Sequence, residues 1–305
     1  MFVSPHLSVA SKPLRALARS IFDARDDLRA HFSDPESPEF GRWLGTYGLA
    51  EHPDVAALFP PLPPDTLRAT ACGGPTIETH LNTGAADFST VVDLYEIYSG
   101  RSASELGSVL DFGCGCGRLL RWFSSSLPRT ALFGTDVREA TIRWCDENLE
   151  GTFLLNEVTP PQAIEADTLD LSVALSVFSH LDREQSIAWM SELARVTKPD
   201  GLILVTTHGA FSLGVLTRSA EHQSVLEIDA PQAQDMLRRL QTEGFLHKVL
   251  SKATLERADG VDDNYGQAFM TEAFAREGWG EFVEVVGYVP VGLNLFQDVF
   301  VLRPR

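Results

Sequence analysis

The chain has 305 residues, 44% of them hydrophobic, with 42 acidic against 25 Lys and Arg side chains and a net charge of -17. That balance disfavours a nucleic-acid partner and an anionic membrane surface, both of which call for a basic face. The length suffices for one large core with additions, and four cysteines do not suggest a disulfide framework. The first eleven residues lack a basic stretch followed by an apolar core, so no secretory signal is expected there. With no run of about 18 apolar residues, the expectation is a cytoplasmic protein that does not span a membrane.

In chain order, Leu14, Leu17, Ala18, Ile21, Phe22 and Leu28 recur at helical spacing and predict an amphipathic helix over about 13–32. Asp34-Pro35-Glu36-Ser37-Pro38 ends it. A Pro-rich break at Phe59–Pro64 follows, and then Phe88, Val91, Val92, Tyr95 and Tyr98 share a helical face. Residues 1–104 therefore read as a helical extension or lid. Trp43, Tyr47, Tyr95 and Tyr98 either line an apolar substrate cavity or, at that spacing, belong to the core.

From residue 107 apolar strands alternate with amphipathic helices, the pattern of a parallel sheet. The strands are Ser108–Phe112, Ala131–Thr135, Thr152–Leu155, Leu169–Phe178 and Leu202–Thr207. The helix after the first starts near Gly117, and the helix after the second turns Ile142, Cys145 and Leu149 inward. Between the fourth and fifth strands, Asp182 with Gln185 three residues on marks a capped helix start, and Lys198-Pro199-Asp200-Gly201 marks its stop. Residues 211–270 exceed what one connection needs. They read as an insertion, with a helix over Ala230–Leu240 and a small β unit in Phe245–Leu255 and Tyr265–Met270 around Asp259-Gly260. A short helix, Thr271–Glu277, leads to two final strands, Glu281–Val289 and Gln297–Leu302, joined through Pro290–Asn294.

The stretch Val109-Leu110-Asp111-Phe112-Gly113-Cys114-Gly115-Cys116-Gly117 carries the chemistry. Glycines at alternate positions between a strand and a helix admit positive φ and let a ligand approach the backbone. The dinucleotide fingerprint is G-x-G-x-x-G, whereas the spacing here is G-x-G-x-G. Asp111 precedes the first glycine by two residues, where a carboxylate repels a pyrophosphate and attracts a cation. Asp136 closes the second strand; an acid there accepts from a ribose diol, in a dinucleotide or any other nucleoside. An NAD-dependent oxidoreductase is therefore the less favoured reading. Cys114-x-Cys116 has no second Cys or His pair to complete a metal site, Cys72 and Cys145 are isolated, and no metal is expected.

These features resemble the S-adenosylmethionine site of class I methyltransferases, over residues 105–209 and again over 270–305. The resemblance implies an α/β, Rossmann-like seven-stranded sheet with helices on both faces, a reversed final hairpin, and S-adenosyl-L-methionine as cofactor. The core would comprise 105–210 and 271–305, with 211–270 as a substrate cap. Carried onto this chain, Asp111 lies near the methionine end of the cofactor, Gly113, Cys114, Gly115 and Gly117 form the loop beneath it, and Asp136 holds the ribose. Val137 and Ser176 belong to the same pocket, and Asn156 and Glu157 approach the adenine or form a polar turn. The acceptor is a small molecule methylated on O, N or C by direct displacement, or else the chain holds the cofactor as a partner or sensor without catalysis. Candidate proton acceptors are His180 and His208, at the carboxyl ends of the fourth and fifth strands, with His208 exposed. For His180, a backbone hydrogen bond holding its loop is the competing role. Tyr265, Asn294 and Gln297, with Asp298, fall where a substrate would be met, although Asn at a strand end is also a turn former.

Overall fold

The computed structural model describes residues 12–35, 37–53, 59–71, 76–127, 130–256 and 260–305. The first eleven residues, Glu36, Cys72 and Asp259, on which expectations above fall, lie outside them. Nine strands are present among the described residues: β1 Ser108–Phe112, β2 Ala131–Asp136, β3 Thr152–Leu155, β4 Leu169–Ala174, β5 Thr197–Thr207, β6 Phe245–Val249, β7 Gly266–Met270, β8 Val283–Leu293 and β9 Gln297–Pro304. Seven form one sheet in the order β3-β2-β1-β4-β5-β9-β8, and β6 and β7 form a second. β4 and β5 run parallel, whereas β9 is antiparallel to β5 and β8 to β9, so the last two strands are a reversed hairpin as expected.

The chain divides into two compact bodies. The first takes the described residues up to Val109 with 114–134 and 140–153, and the second takes 110–113, 135–139 and 154–305. In the first body the helix expected over 13–32 is two, α1 Lys12–Ala24 and α2 Asp26–His31. The break falls at Arg25, whose backbone is extended and whose guanidinium bonds Asp27 at 2.6 Å, while Asp26 and Asp27 favour a fresh helix start. Ala18, Ile21, Phe22 and Leu28 pack with Phe40 and Leu44 into one buried cluster, against which Trp43 lies. Trp43 and Tyr95 are thus core residues, Tyr95 being 2% exposed, while Tyr47 is exposed and bonds Glu78. The helix Ile77–Ser99 starts on the Thr76 side-chain cap and ends at Gly100 in the left-handed region. Its Phe88 meets Phe123 edge to face at 4.9 Å, and its fully buried Asp87 pairs with Arg118.

In the second body, the central stretch Leu202–Val205 is wholly buried, the signature of a strand covered on both faces. β5 begins five residues earlier than expected. Leu169 pairs with Thr197 and Leu171 with Leu202, so Lys198-Pro199-Asp200-Gly201 is a bulge within the strand, fastened by Lys198 to Asp170 at 2.6 Å. β4 ends at Ala174, four residues short of the expected end, because the chain turns at Ser176, whose φ is +57°. In the insertion, Phe245–Leu255 is half strand and half helix (Lys252–Leu255). Leu213, Leu216, Leu226, Ile228, Met236 and Leu240 pack there with Leu246 and Phe269 of the small sheet. That gives the insertion a core of its own.

The helix Arg183–Val196 carries the capping box expected at its start: the Asp182 side chain accepts from Gln185 N at 2.9 Å and Gln185 Oε1 from Asp182 N at 3.2 Å. Asp182→Ala is expected to lower stability by about 1 kcal/mol, measured by chemical unfolding at neutral pH. Asp182→Asn, which keeps the acceptor, should recover most of it.

Candidate functional site

The ends of β1, β2 and β3 are stitched together by backbone bonds. Gly113 N donates to Thr135 O at 2.7 Å, and Asn156 N donates to Asp136 O at 2.9 Å. Asp111 and Asp136 are both buried, at 4% and 5% exposure, and Asn156 at 7%, while Glu157 points to solvent. One Asp136 carboxylate oxygen accepts from Arg138 N at 2.9 Å, which holds the carboxylate at the start of the following turn. Gly113 has φ +78°, and a Cβ there would sit 2.4 Å from Val177 Cγ2. A side chain is excluded at that point by both backbone and space.

In the first body, the loop continues through Cys114, Gly115, Cys116 and Gly117. Gly115 and Gly117 also have positive φ, and a Cβ on Gly117 would meet Leu149 Cδ1 at 2.2 Å. The helix expected near Gly117 starts at Leu120, because the glycines keep residues up to Leu119 in turns. Cys114 and Cys145 are buried and outside any disulfide, whereas Cys116 is disulfide-bonded. Among the described residues no group of three metal-ligating side chains occurs, and no helix is long and apolar enough to cross a membrane.

The other predicted residues, all in the second body, fall into a network beyond the ends of β4 and β5. His208 is 3% exposed, not exposed as expected, because β7 lies alongside it: Met270 N donates to His208 O at 2.9 Å. The same strand bonds the loop after β4, through Ala268 N to Ser179 O at 2.7 Å and Gly266 N to His180 O at 3.2 Å. The His180 ring stacks on Tyr265 at 4.7 Å, and its Nδ1 donates to Gly266 O at 2.8 Å. That backbone hydrogen bond fastens the loop after β4 to the insertion, the competing structural role named for His180. Burial pushes His180 down to about 4 and His208 down to about 3. Tyr265, bonded by Arg138, has its phenol raised by burial.

Gln297 stands at the centre of the network. Its Oε1 accepts from Thr206 Oγ1 at 2.6 Å and Ser176 Oγ at 3.1 Å, and its Nε2 lies 3.2 Å from His208 Nε2. Asn294 is placed elsewhere, exposed in the β8–β9 turn with φ +54°, as a turn former. Two residues were missed by sequence reasoning. Thr206 is the first of two threonines that close an apolar run, two positions before His208, and Arg138 follows Asp136 by two; both offsets were visible, but neither has meaning until the partner is placed.

Residues 109–201 match the family model described as a methyltransferase domain. A malonyl-[acyl-carrier protein] O-methyltransferase from Halalkalibacterium halodurans is 23% identical over 163 residues, covering 51% of this chain and 59% of that protein. A tRNA (carboxymethyluridine(34)-5-O)-methyltransferase from Arabidopsis thaliana is 29% identical over 103 residues, 33% of this chain and 24% of that one. The chain thus spans less than two thirds of the length of these curated relatives. A Pyrococcus horikoshii protein of solved structure is 18% identical over 72% of this chain and 90% of its own, with a TM-score of 0.46. The matched stretch runs from the glycine loop to the end of the Lys-Pro-Asp-Gly bulge, and the sheet it belongs to ends in the reversed hairpin, so residues 109–201 of this chain form a methyltransferase domain.

Proposed function

We propose that this protein transfers the methyl group of S-adenosylmethionine to an oxygen, nitrogen or carbon of a small molecule by direct displacement. The observation that carries this reading is the placement of two buried carboxylates on adjacent strands, Asp111 and Asp136, beside Gly113, whose φ of +78° closes the first strand. Such a site fits a cationic nucleoside: Asp111 faces the ammonium end, Asp136 accepts from the ribose diol, and Val137, Asn156, Glu157 and Ser176 complete the wall. The loop residues Gly113, Cys114, Gly115 and Gly117 are the ones the resemblance puts beneath the cofactor. When bound, the cofactor supplies a methyl group already activated on a sulfonium. What remains for the chain is to place the acceptor in line at about 3 to 3.5 Å and exclude water.

A small acceptor is favoured by the insertion. The β6–β7 sheet is hydrogen-bonded to Ser179, His180 and His208, so residues 211–270 serve as a cap over the ends of β4 and β5, with Tyr265 as a wall of the acceptor side. Residues 1–104 act as a helical extension of the core formed by 105–210 and 271–305. The net charge of -17 speaks against a nucleic-acid acceptor, and the name of the H. halodurans relative, which methylates oxygen on a malonyl group, agrees with an oxygen acceptor. A cytoplasmic location fits that cofactor.

Calorimetric titration with S-adenosylmethionine, S-adenosylhomocysteine and NAD tests the reading. Micromolar binding of both sulfur nucleosides, about -8 kcal/mol, and none of NAD is expected. NAD binding without the others would overturn it. Asp136→Ala should weaken S-adenosylmethionine binding by roughly 1.5 to 3 kcal/mol, through loss of a charge-assisted contact. Unchanged affinity in a folded variant would show that the ribose is held elsewhere.

A further inference from the structure

The hydrogen-bond chain behind His208 can be followed proton by proton. Ser176 N–H donates to Thr206 Oγ1 at 2.7 Å. Thr206 must then place its own hydroxyl proton elsewhere, and among the described residues its acceptor is Gln297 Oε1 at 2.6 Å, which also takes the Ser176 hydroxyl proton at 3.1 Å. With the amide turned the other way, both hydroxyl protons would face an NH2 group and find no acceptor. The amide orientation is thereby fixed, and Gln297 Nε2 directs an N–H at His208 Nε2 at 3.2 Å. An N–H can be met only by a lone pair, so Nε2 is unprotonated and the neutral ring carries its proton on Nδ1.

That Nδ1 is buried and has no partner among the described residues, in a ring 3% exposed and flanked by Phe269 at 5.2 Å and Phe296 at 5.4 Å. A buried N–H without an acceptor is costly, and this one lies at the carboxyl end of β5, where a ligand enters such a sheet and can supply the acceptor. We propose that Gln297 is a positioning residue that fixes His208 as the Nδ1–H tautomer, and that His208 donates this hydrogen bond to a carboxylate of the methyl acceptor instead of removing a proton from it. The inference rests on the methyltransferase reading above and replaces the role of proton acceptor with that of donor.

The chemistry balances without a base. One carboxylate oxygen is held by His208 Nδ1–H while the other forms the new O–CH3 bond. The methyl–sulfur bond breaks, its electron pair stays on sulfur, and no proton is released. An alcohol would need a proton removed, and His208 in this tautomer presents a donor where a base would be required.

The test is heteronuclear NMR of the full chain labelled with 15N-histidine, at neutral pH. The expected spectrum shows His208 with a protonated Nδ1 and an unprotonated Nε2. A protonated Nε2, or an imidazolium, overturns the proposal. Gln297→Glu replaces the donor by a carboxylate that only accepts and should move the proton to Nε2; a spectrum that keeps the proton on Nδ1 means that Gln297 does not set the tautomer. Thr206→Val, nearly isosteric, frees the amide to turn and should give a mixture of tautomers, which provides the same decision if the Glu variant does not fold. Adding acetate to the protein with S-adenosylhomocysteine should move the Nδ1 proton downfield, while methylammonium should not. No response to acetate overturns the carboxylate. The tautomer is read on the protein alone, and cofactor binding is read by calorimetry, so failure here and failure of the methyltransferase reading are separate results.

Discussion

Acidification from pH 7 to about 5 should destabilise the fold by several kcal/mol, before ordinary carboxylates begin to protonate. Three histidines are held neutral by burial: His80 and His208 are pushed down to about 3, and His180 to about 4. In the unfolded chain an imidazole titrates near 6.5. Between that value and the folded one, the unfolded chain binds a proton that the folded chain refuses, so the stability gained by keeping each ring neutral is complete above 6.5. It is lost as pH falls toward 3 or 4, at up to about 1.4 kcal/mol per unit for each ring. Even half of that slope, summed over three rings, gives about 3 to 4 kcal/mol between pH 6.5 and 5, a large fraction of the stability of a typical domain.

Urea unfolding at pH 7, 6 and 5 measures this directly. The groups whose acidity the fold increases, such as Asp27, Glu227 and Glu243, act in the same sense, but only nearer their own range below about 4.5. His80 offers the cleanest control, since it is fully buried, neither ring nitrogen has a partner among the described residues, and it takes no part in the proposed chemistry. His80→Leu should raise stability at pH 5 more than at pH 7. An equal change at both values would mean that the ring's protonation is not what couples folding to pH there.

The alternation of strand and helix from Ser108 onward was legible because the strands are short apolar runs closed by acids or glycines, and the chemistry of a capping box or a glycine loop is local. The standing of Asp111 and Asp136 at the ends of the first two strands, with Gly113 just beyond, was readable for that reason. What was not legible depended on contacts distant in sequence. His208 looked exposed because a strand end followed by Gly209 usually is, yet β7, some sixty residues away, covers it through Met270 N. Gln297 looked like a substrate contact because it opens a strand facing the cap. Its polar atoms instead join Thr206, Ser176 and His208, residues 89 to 121 positions away. The Lys-Pro-Asp-Gly stretch was recognised as a stop, but that a parallel neighbour would absorb it as a bulge depends on the pairing of Leu169 and Leu171 with β5. Cys116 looked like a small lining residue, because spacing says nothing about whether a cysteine is paired.

Asp298→Ala should cost about 3 to 5 kcal/mol, more than the carboxylate's own bonds alone would suggest. The carboxylate is 3% exposed. Its Oδ1 accepts from Val291 N at 2.8 Å and its Oδ2 from Tyr288 OH at 2.7 Å. Val291 has φ +56°, an unfavourable conformation for a β-branched residue, and the bond to Asp298 is what holds it there. Removing the carboxylate leaves the Val291 N–H without its acceptor, frees Tyr288, and opens a void beside Gly209, where a Cβ would lie 2.0 Å from Oδ2. The turn it stabilises is the one that delivers Gln297 to His208, so the same change should broaden or shift the His208 ring resonances. Thermal unfolding reads the loss, at roughly 2 to 4 °C per kcal/mol for a chain of this size. Asp298→Asn retains one acceptor and should lose about half as much. If Asn costs as much as Ala, the charge on Asp298 matters more than the geometry of its two bonds, and the turn is held by electrostatics instead of by the Val291 hydrogen bond.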